Sequence, residues 1–202
     1  MKYCKNLVYV FSLLILASCV ETAILGGTAT GIVVVREKSA VNTKDDIVIN
    51  AKIIKEFVKN RVEGGGNSFG VIVNEGRVLL TGVANNSKIA KKAADICWNV
   101  IGVREVMDEI QMIPGRTTLD NFKAYFTDAA LTVETESRLL LAKNIDSINY
   151  KSTTVNGIVY LIGVGRNSFE IKKATDLVSR IRGVKKVVSH VVLVNDDRRD
   201  QD

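Results

Sequence analysis

The feature that most constrains the fold is a repeat within the chain. Sliding the 202-residue sequence by 81 positions places residues 76–106 on residues 157–187 without a gap, and 14 of the 31 aligned positions are identical. The matched pairs include glycines that we expect to be structural: Gly76, Gly82 and Gly102 in the first copy, and Gly157, Gly163 and Gly183 in the second. With one residue inserted, 46–57 also overlies 128–139. Two copies of one small module are therefore predicted.

Each copy has the same predicted order of elements. Apolar residues at helical spacing predict a first helix whose core-facing stripe is Ile47, Ala51, Ile54 and Val58, widened by Phe57. Alternating strands flank "NEG" (74–76) and "VNG" (155–157), which predict tight hairpins. A second helix opens at "NS" and stops at Gly102 or Gly183, and a final strand closes the module. The predicted fold class is α+β: two tandem αββαβ modules, each with a three-stranded mixed sheet covered on one face by two helices.

Composition is that of a globular chain, with 47% hydrophobic residues, 25% charged residues and one proline. Of the three cysteines, only Cys97 lies in the body of the chain, where a lone buried thiol behaves as a small apolar side chain. No disulfide framework is therefore expected.

The N-terminus has the three-part layout of a secretory signal peptide. Lys2 and Lys5 precede an apolar run from Leu7 to Leu16, which is too short to span a bilayer. The following "LASC" (16–19) resembles the lipobox of bacterial lipoproteins, in which the cysteine becomes the acylated first residue of the mature protein. By that resemblance Cys19 is the lipidation site and carries fatty chains such as palmitate. Two or more chains give firm anchoring; an ordinary cleaved signal with an incidental cysteine is the alternative.

Both copies share one sequence pattern: a hairpin glycine, then "V-x-L-x-G", then a helix ending in "G-V-x-x-V". This pattern resembles the BON domain. Two such domains behind a lipobox resemble the DolP (YraP) family of outer-membrane lipoproteins and, more distantly, OsmY-like periplasmic proteins. The resemblance implies a non-enzymatic, lipid-anchored protein of the outer membrane that faces the periplasm. It also implies that the second domain binds anionic phospholipid and that the protein supports outer-membrane integrity, including at division sites.

The expected organisation follows from the repeat and the signal. Residues 1–18 are the signal peptide, 19–45 a lipidated segment and linker, and 46–113 the first BON domain. Residues 114–127 form a second linker, 128–194 the second BON domain, and 195–202 a disordered tail.

No residue pattern predicts catalysis. His190, the chain's one histidine, lies in the last strand at the position that Glu109 occupies in the first copy, and no cysteine–histidine or serine–histidine arrangement with a plausible third group can be assembled. No His/Cys cluster has metal-ligand spacing, and no cofactor or small-molecule substrate is predicted. Export makes nucleic acid an unsuitable partner for the basic excess and leaves anionic lipid headgroups as the available polyanion.

Charge places a candidate lipid-binding face in the second copy, which has 10 basic and 6 acidic residues over 128–194 against 9 and 8 over 46–113. The face comprises Lys172, Lys173 and Arg180 on the second helix of that copy, and Lys185 and Lys186 just beyond it. A plain solvated helix face is the alternative.

A second candidate precedes the first helix of the second copy. Phe122, Tyr125 and Phe126 crowd around Lys123, a composition that suits the headgroup boundary of a membrane, and packing between the modules is the alternative. Ala130 stands where the resembled family carries an exposed aromatic residue. Envelope proteins bound at strand edges or in a groove between the modules are the alternative partners.

Overall fold

The computed structural model describes residues 40–199, with side chains from residue 44 onward. The first module consists of α1 (Ala40–Asn60), β1 (Ser68–Asn74), β2 (Arg77–Ala84), α2 (Ser87–Trp98) and β3 (Glu105–Met112). The second consists of α3 (Thr118–Leu141), β4 (Tyr150–Val155), β5 (Ile158–Gly165), α4 (Ser168–Ser179) and β6 (Lys186–Leu193). In each sheet the central strand pairs antiparallel with its hairpin partner and parallel with the last strand. The predicted α+β architecture of two αββαβ modules is confirmed.

Helix α1 buries a different face from the one predicted. Ile49, Ile53 and Phe57 are the residues that enter the core, each at most 4% exposed. Of the predicted stripe, Phe57 enters the core as expected, but Ile47, Ala51, Ile54 and Val58 lie on the outside. That prediction is wrong because α1 has apolar residues on two faces, and periodicity alone does not say which face packs on the sheet.

An aspartate in the first helix of each module holds the hairpin turn. The Asp46 carboxylate accepts hydrogen bonds from the backbone N–H groups of Glu75 and Gly76, both at 2.9 Å. Asp128 accepts from Asn156 at 2.7 Å and from Gly157 at 2.9 Å. The two central residues of each turn have positive φ, as the predicted Asn-Gly type of hairpin requires.

Both copies of the repeat have a glycine in the central strand, and the reason is steric. Gly82 and Gly163 lie in the central strands with φ of +124° and +153°. A Cβ on Gly82 would lie 2.1 Å from the carbonyl oxygen of Ser68, the first residue of β1, and a Cβ on Gly163 would lie 2.0 Å from that of Asn149, just before β4. Helices α2 and α4 end earlier than predicted, at Trp98 and Ser179, and the glycines that follow take positive φ in the turn to the last strand.

The two sheets pack against each other through the faces that their own helices leave open. Leu79 and Met107 of the first sheet meet Tyr160 and Ile162 of the second. Leu79 and Tyr160 are equivalent positions of the repeat, and so are Glu109 and His190, whose Oε1 and Nε2 atoms lie 2.9 Å apart. Contact between equivalent residues is the signature of an approximate two-fold axis. The order of layers is therefore helices, sheet, sheet, helices.

Two segments, one predicted to be a linker and the other a disordered tail, contain helical structure. Helix α3 begins at Thr118, inside the predicted linker 114–127, because Thr117 and Asp120 form a capping box. In the predicted disordered tail, residues 197–199 form a short 3₁₀ turn, and the Arg199 guanidinium pairs with the buried Glu75 carboxylate at 2.9 Å. Residues 200–202 lie outside the described part of the chain.

Candidate membrane interface

Cys19, the predicted lipidation site, lies outside the described residues, as do the signal peptide and most of the segment that follows it. Within residues 40–199, no helix combines the length and the apolar character needed to cross a bilayer.

The predicted aromatic residues form an exposed cluster on the first two turns of α3. Phe122 is 61% exposed, Tyr125 66% and Phe126 59%. The Phe126 ring meets Phe122 edge to face at 5.0 Å between centroids, and it meets Tyr125 in the same way at 5.8 Å. Leu119, also exposed, lies one turn before Phe122 on the same side. We call Leu119, Phe122, Tyr125 and Phe126 the aromatic patch.

The start of α3 explains why these side chains face outward together. Positions 119, 122 and 126 follow the i, i+3, i+7 spacing of one helix face, whereas a linker would not align them. The opposite side of this helix supplies the buried residues Asp128, Leu131, Thr135 and Leu139. Leu119 was not predicted as a site residue, and the Thr-x-x-Asp capping signal at 117–120 is the sequence feature that identifies it.

Beyond the aromatic patch, the outward face of α3 carries both apolar and charged side chains. Val133 and Leu140 are exposed, but Glu136 lies between them. Glu134 pairs with Arg138 at 2.7 Å, which partly neutralises its charge. The beginning of the helix therefore has its largest group of exposed apolar side chains, and Leu140 and Leu141 form a smaller exposed pair at its end.

The basic residues predicted on α4 largely have intramolecular partners. Lys172 pairs with Asp176 at 2.5 Å. The Lys173 ammonium donates to the carbonyl oxygen of Lys143 at 2.6 Å, beyond the end of α3. Lys185 donates at 2.8 Å to the carbonyl oxygen of Asn156 in the second hairpin turn.

Arg180 and Lys186 complete the predicted basic set. Both are exposed, and within residues 40–199 neither side chain has a hydrogen-bond or ion-pair partner. Arg180 follows α4 as its C-cap residue, and Lys186 begins β6. Of the basic side chains predicted for lipid contact, these two are the least engaged with the protein itself.

His190 has a structural environment. Its ring nitrogen contacts Glu109 across the packed sheets, and its carbonyl oxygen accepts from the Arg77 guanidinium at 3.2 Å. In the part of the chain that the structure describes, no group of three or more potential metal ligands comes together.

A groove of about 430 Å³ runs between the first sheet and α3. Phe69, Gly70 and Val83 line one side, and Tyr125, Ala129 and Val133 line the other. Tyr125 belongs to both this groove and the aromatic patch, so the two surfaces are continuous.

Comparison with known proteins accounts for both modules. The family model described as BON domain matches residues 45–114 and 127–195. An uncharacterized protein in the gshII 5′ region of Anaplasma centrale is 36% identical over 149 residues, which cover 74% of this chain and 95% of that protein.

Two further relatives have descriptive names. The outer membrane lipoprotein DolP of Haemophilus influenzae is 29% identical over 176 residues, which cover 86% of this chain and 87% of DolP. The osmotically-inducible protein Y of Escherichia coli is 26% identical over 146 residues, covering 72% of this chain and 71% of that protein. The chain belongs to the BON-domain family and carries two copies of the domain in tandem.

Proposed function

We propose that the protein is a non-enzymatic, lipid-anchored protein of the outer membrane, facing the periplasm, that binds anionic phospholipid through its second BON domain. The single observation that carries the proposal is the aromatic patch, a group of large exposed apolar side chains on the part of α3 that leads into the second BON domain, whose match begins at residue 127. The lipobox-like sequence ending at Cys19 and the similarity to a protein named outer membrane lipoprotein DolP support the location. Support of outer-membrane integrity, including at division sites, is the cellular role that we propose.

The aromatic patch has the chemistry of a membrane anchor. Inserting one Phe ring of this exposure removes on the order of 100 Å² of apolar surface from water, worth roughly 2–3 kcal/mol before association costs. Tyr125 adds a ring with a polar tip suited to the headgroup region, and Lys123 lies on the same turn of α3. Arg180 and Lys186 supply unpaired positive charge in the same module.

The experiment is vesicle co-sedimentation of residues 20–202. We expect binding to vesicles containing phosphatidylglycerol, weaker binding to pure phosphatidylcholine, and a decrease with salt. Phe122→Ser with Phe126→Ser should weaken binding at least about tenfold, because two inserting rings are lost. Phe169→Ser is the matched control, since Phe169 is 70% exposed on α4 of the same module. Equal losses in both variants, or no loss in the first, would contradict the role of the patch.

Charge reversals separate the basic residues. Arg180→Glu with Lys186→Glu should reduce binding more than Lys172→Glu with Lys173→Glu, because the second pair already satisfies partners within the protein. The opposite order would move the contact to the exposed face of α4.

Lipid anchoring has its own test. Metabolic labelling with an alkyne analogue of palmitate should mark the full-length protein in the envelope fraction, and Cys19→Ser should abolish the label. An unlabelled wild-type protein in the soluble periplasmic fraction would contradict anchoring. For the cellular role, loss of the gene should increase sensitivity to bulky antibiotics, and the wild-type gene should reverse this while the Cys19→Ser gene should not.

A second candidate function is protein binding in the groove between the first sheet and α3, with the lipid serving only as a tether. The observation that favours it is the combination of apolar side chains, such as Phe69 and Val133, with polar ones, such as Arg116, in the lining of this groove. Val133→Asp lies in the groove but outside the aromatic patch. Indifference to anionic vesicles together with capture of one envelope protein, lost in Val133→Asp, would favour this function over lipid binding.

A further inference from the structure

The groove between the first sheet and α3 has a smaller counterpart at the repeat-related place in the molecule. Ile47 and Asn50 of α1 line this counterpart together with Lys151 of the second sheet, and its volume is about 290 Å³. The Lys151 side chain lies across it, because its ammonium group donates to the carbonyl oxygen of Val73 on β1 at 2.6 Å. The residue 81 positions before Lys151 is Gly70, which lines the larger groove and has no side chain to cross it.

Without a side chain at Gly70, the edge of β4 lacks a hydrogen-bond donor. In a tight hairpin the closing pair is hydrogen-bonded, so the backbone groups of the next residue along each strand face away from the partner strand. On β1 that residue is Val73, whose carbonyl oxygen accepts from Lys151. On β4 it is Thr154, which lines the groove, and within residues 40–199 its carbonyl oxygen accepts no hydrogen bond. A partner that brings an N–H group fits this edge.

The end of the groove beside the second hairpin turn carries a positive charge. The Arg116 guanidinium donates to the side-chain oxygens of Asn121 at 2.5 Å and Asn156 at 2.9 Å. These amides hold the guanidinium in place without neutralising it, and in the described part of the chain Arg116 has no ion pair. The first hairpin turn differs, because Glu75 stands at the position of Asn156 and pairs with Arg199 at 2.9 Å. An acidic group on a partner would supply Arg116 with the carboxylate that Glu75 supplies to Arg199.

Two carboxylates of the protein lie near Arg116, and neither takes that place. Asp128 lines the groove, but its oxygens accept the backbone N–H groups of the second turn. Asp120 is held in the capping box at the start of α3. Asp46 does in the first turn what Asp128 does in the second, so the two turns differ by the one negative charge of Glu75.

One groove therefore calls for three kinds of group in its ligand: an N–H donor beside Thr154, an apolar side chain against Val133, and a carboxylate at Arg116. An extended peptide has all three, because an added strand supplies backbone N–H groups and its alternate side chains point to one face. A fatty acid supplies an apolar chain and a carboxylate but no donor for the Thr154 carbonyl oxygen. The chemistry of the groove thus favours an acidic peptide over a lipid.

We propose that this groove binds an extended apolar segment of another protein along the edge of β4, with an acidic side chain of that segment paired to Arg116. The proposal rests on the groove function given above as the second candidate, and it names the chemistry of the partner. Membrane binding through the aromatic patch is compatible with it, because Phe122 and Phe126 do not line the groove.

The probes are fluorescein-labelled peptides of about six residues, the length of a typical strand, in which valine and threonine alternate. Both termini are blocked, and one aspartate is placed at each position in turn. Binding to residues 20–202 is measured by fluorescence anisotropy. We expect at least one aspartate peptide to bind about tenfold tighter than the same peptide with asparagine, because only the carboxylate forms a charge-assisted hydrogen bond with Arg116. In backbone amide NMR spectra, the Thr154 signal should shift on binding.

Two variants exchange residues between the copies. Gly70→Lys should place an ammonium group at the Thr154 carbonyl oxygen, as Lys151 does at Val73, and should weaken peptide binding at least about tenfold. Gly70→Ala is the matched control, since it adds the same Cβ, 2.9 Å from the Thr81 Oγ1 atom, without the ammonium group; urea unfolding should give both variants equal stability. Asn156→Glu keeps the groove open but gives Arg116 a carboxylate, so aspartate and asparagine peptides should bind it equally.

The outcomes separate this inference from the lipid function. Absence of peptide binding, equal affinities of aspartate and asparagine peptides for the wild type, or binding that survives Gly70→Lys overturns the inference. A fluorescent fatty acid that binds where no peptide does, and is lost in Gly70→Lys, would assign the groove to lipid and overturns it as well. Vesicle co-sedimentation of Gly70→Lys should match the wild type, because the aromatic patch is intact. Peptide binding by a wild-type protein that ignores vesicles would refute the lipid function alone.

Discussion

Replacing Asp46 by Asn should destabilise the protein far more than the loss of one exposed negative charge would. The Asp46 side chain is 3% exposed, and its two carboxylate oxygens each accept a backbone N–H of the first hairpin turn at 2.9 Å. Asparagine has the same shape but presents an NH₂ group to one of these donors. One buried N–H is then left facing another donor.

The magnitude follows from the bond that is lost. A hydrogen bond to a charged group contributes about 1.5–3 kcal/mol, and an unsatisfied buried donor adds about 1–3 kcal/mol. Since the turn can relax in part, we expect a decrease of about 2–4 kcal/mol in the free energy of unfolding. For a chain of this size that corresponds to roughly 5–15 °C in Tm.

The assay is urea unfolding of residues 20–202 at neutral pH, followed by circular dichroism. Asp45→Asn is the matched control, since it removes the same charge one residue earlier on the exposed side of α1 and should change stability by less than about 0.5 kcal/mol. Asp128→Asn should repeat the large effect in the second module, where the distances are 2.7 and 2.9 Å. If Asp46→Asn and Asp45→Asn have equal effects, the reasoning from the turn contacts is refuted.

Three further outcomes are expected. Gly163→Ala should lower the free energy of unfolding in urea by about 3 kcal/mol or more, because the added Cβ would meet a backbone carbonyl oxygen at 2.0 Å. Gly115→Ala is the control: Gly115 also has positive φ, but an added Cβ would have nothing within 4 Å, so the loss should be only about 1 kcal/mol. Burial raises the pKa of the Cys97 thiol to about 12, so a thiol reagent at pH 8 should react only after unfolding, and rapid reaction of the native protein would contradict that burial. Burial alone would raise the pKa of Glu170, but backbone N–H donors and the Arg166 guanidinium outweigh it and hold the pKa below its ordinary value. The stability that Glu170 contributes is therefore present above the ordinary pKa of glutamate and is lost as the pH falls through the lowered one, so the advantage over Glu170→Gln in unfolding experiments should shrink in acid.

The repeat made the fold predictable, because two independent copies of one pattern point to the same elements. The turn residues 74–76 and 155–157 set the hairpins, and their positive φ values agree with the prediction. The buried face of α1 was not predictable from spacing, since Ile47, Ile54 and Val58 repeat as regularly as Ile49, Ile53 and Phe57. Asp46, on the buried side of α1, contacts a turn about 30 residues away, and helical periodicity contains no information on that contact.

The candidate membrane interface, like the fold, was predictable from the sequence only in part. Phe122, Tyr125 and Phe126 could be named from composition, but their common direction depends on α3 starting at Thr118. A charge count singled out Lys172 and Lys173, although both have partners nearby in the folded chain. Charge in a sequence does not show which ammonium groups are already engaged, and that depends on tertiary contacts.

Duplication of the module also determines where a partner can bind. Each sheet has one face covered by its own helices and the other by the second sheet, so Leu79 and Tyr160 are buried between layers. Within the described chain, a partner therefore meets the outer faces of the helices, the turns beside them or the strand edges. Because the repeat fixes the core, differences between the copies on those outer surfaces are free of folding constraints. Trp98 in place of Ser179, and Ile101 in place of Arg182, are exposed differences of that kind, and comparing one copy with the other reveals them where the sequence of either copy alone does not.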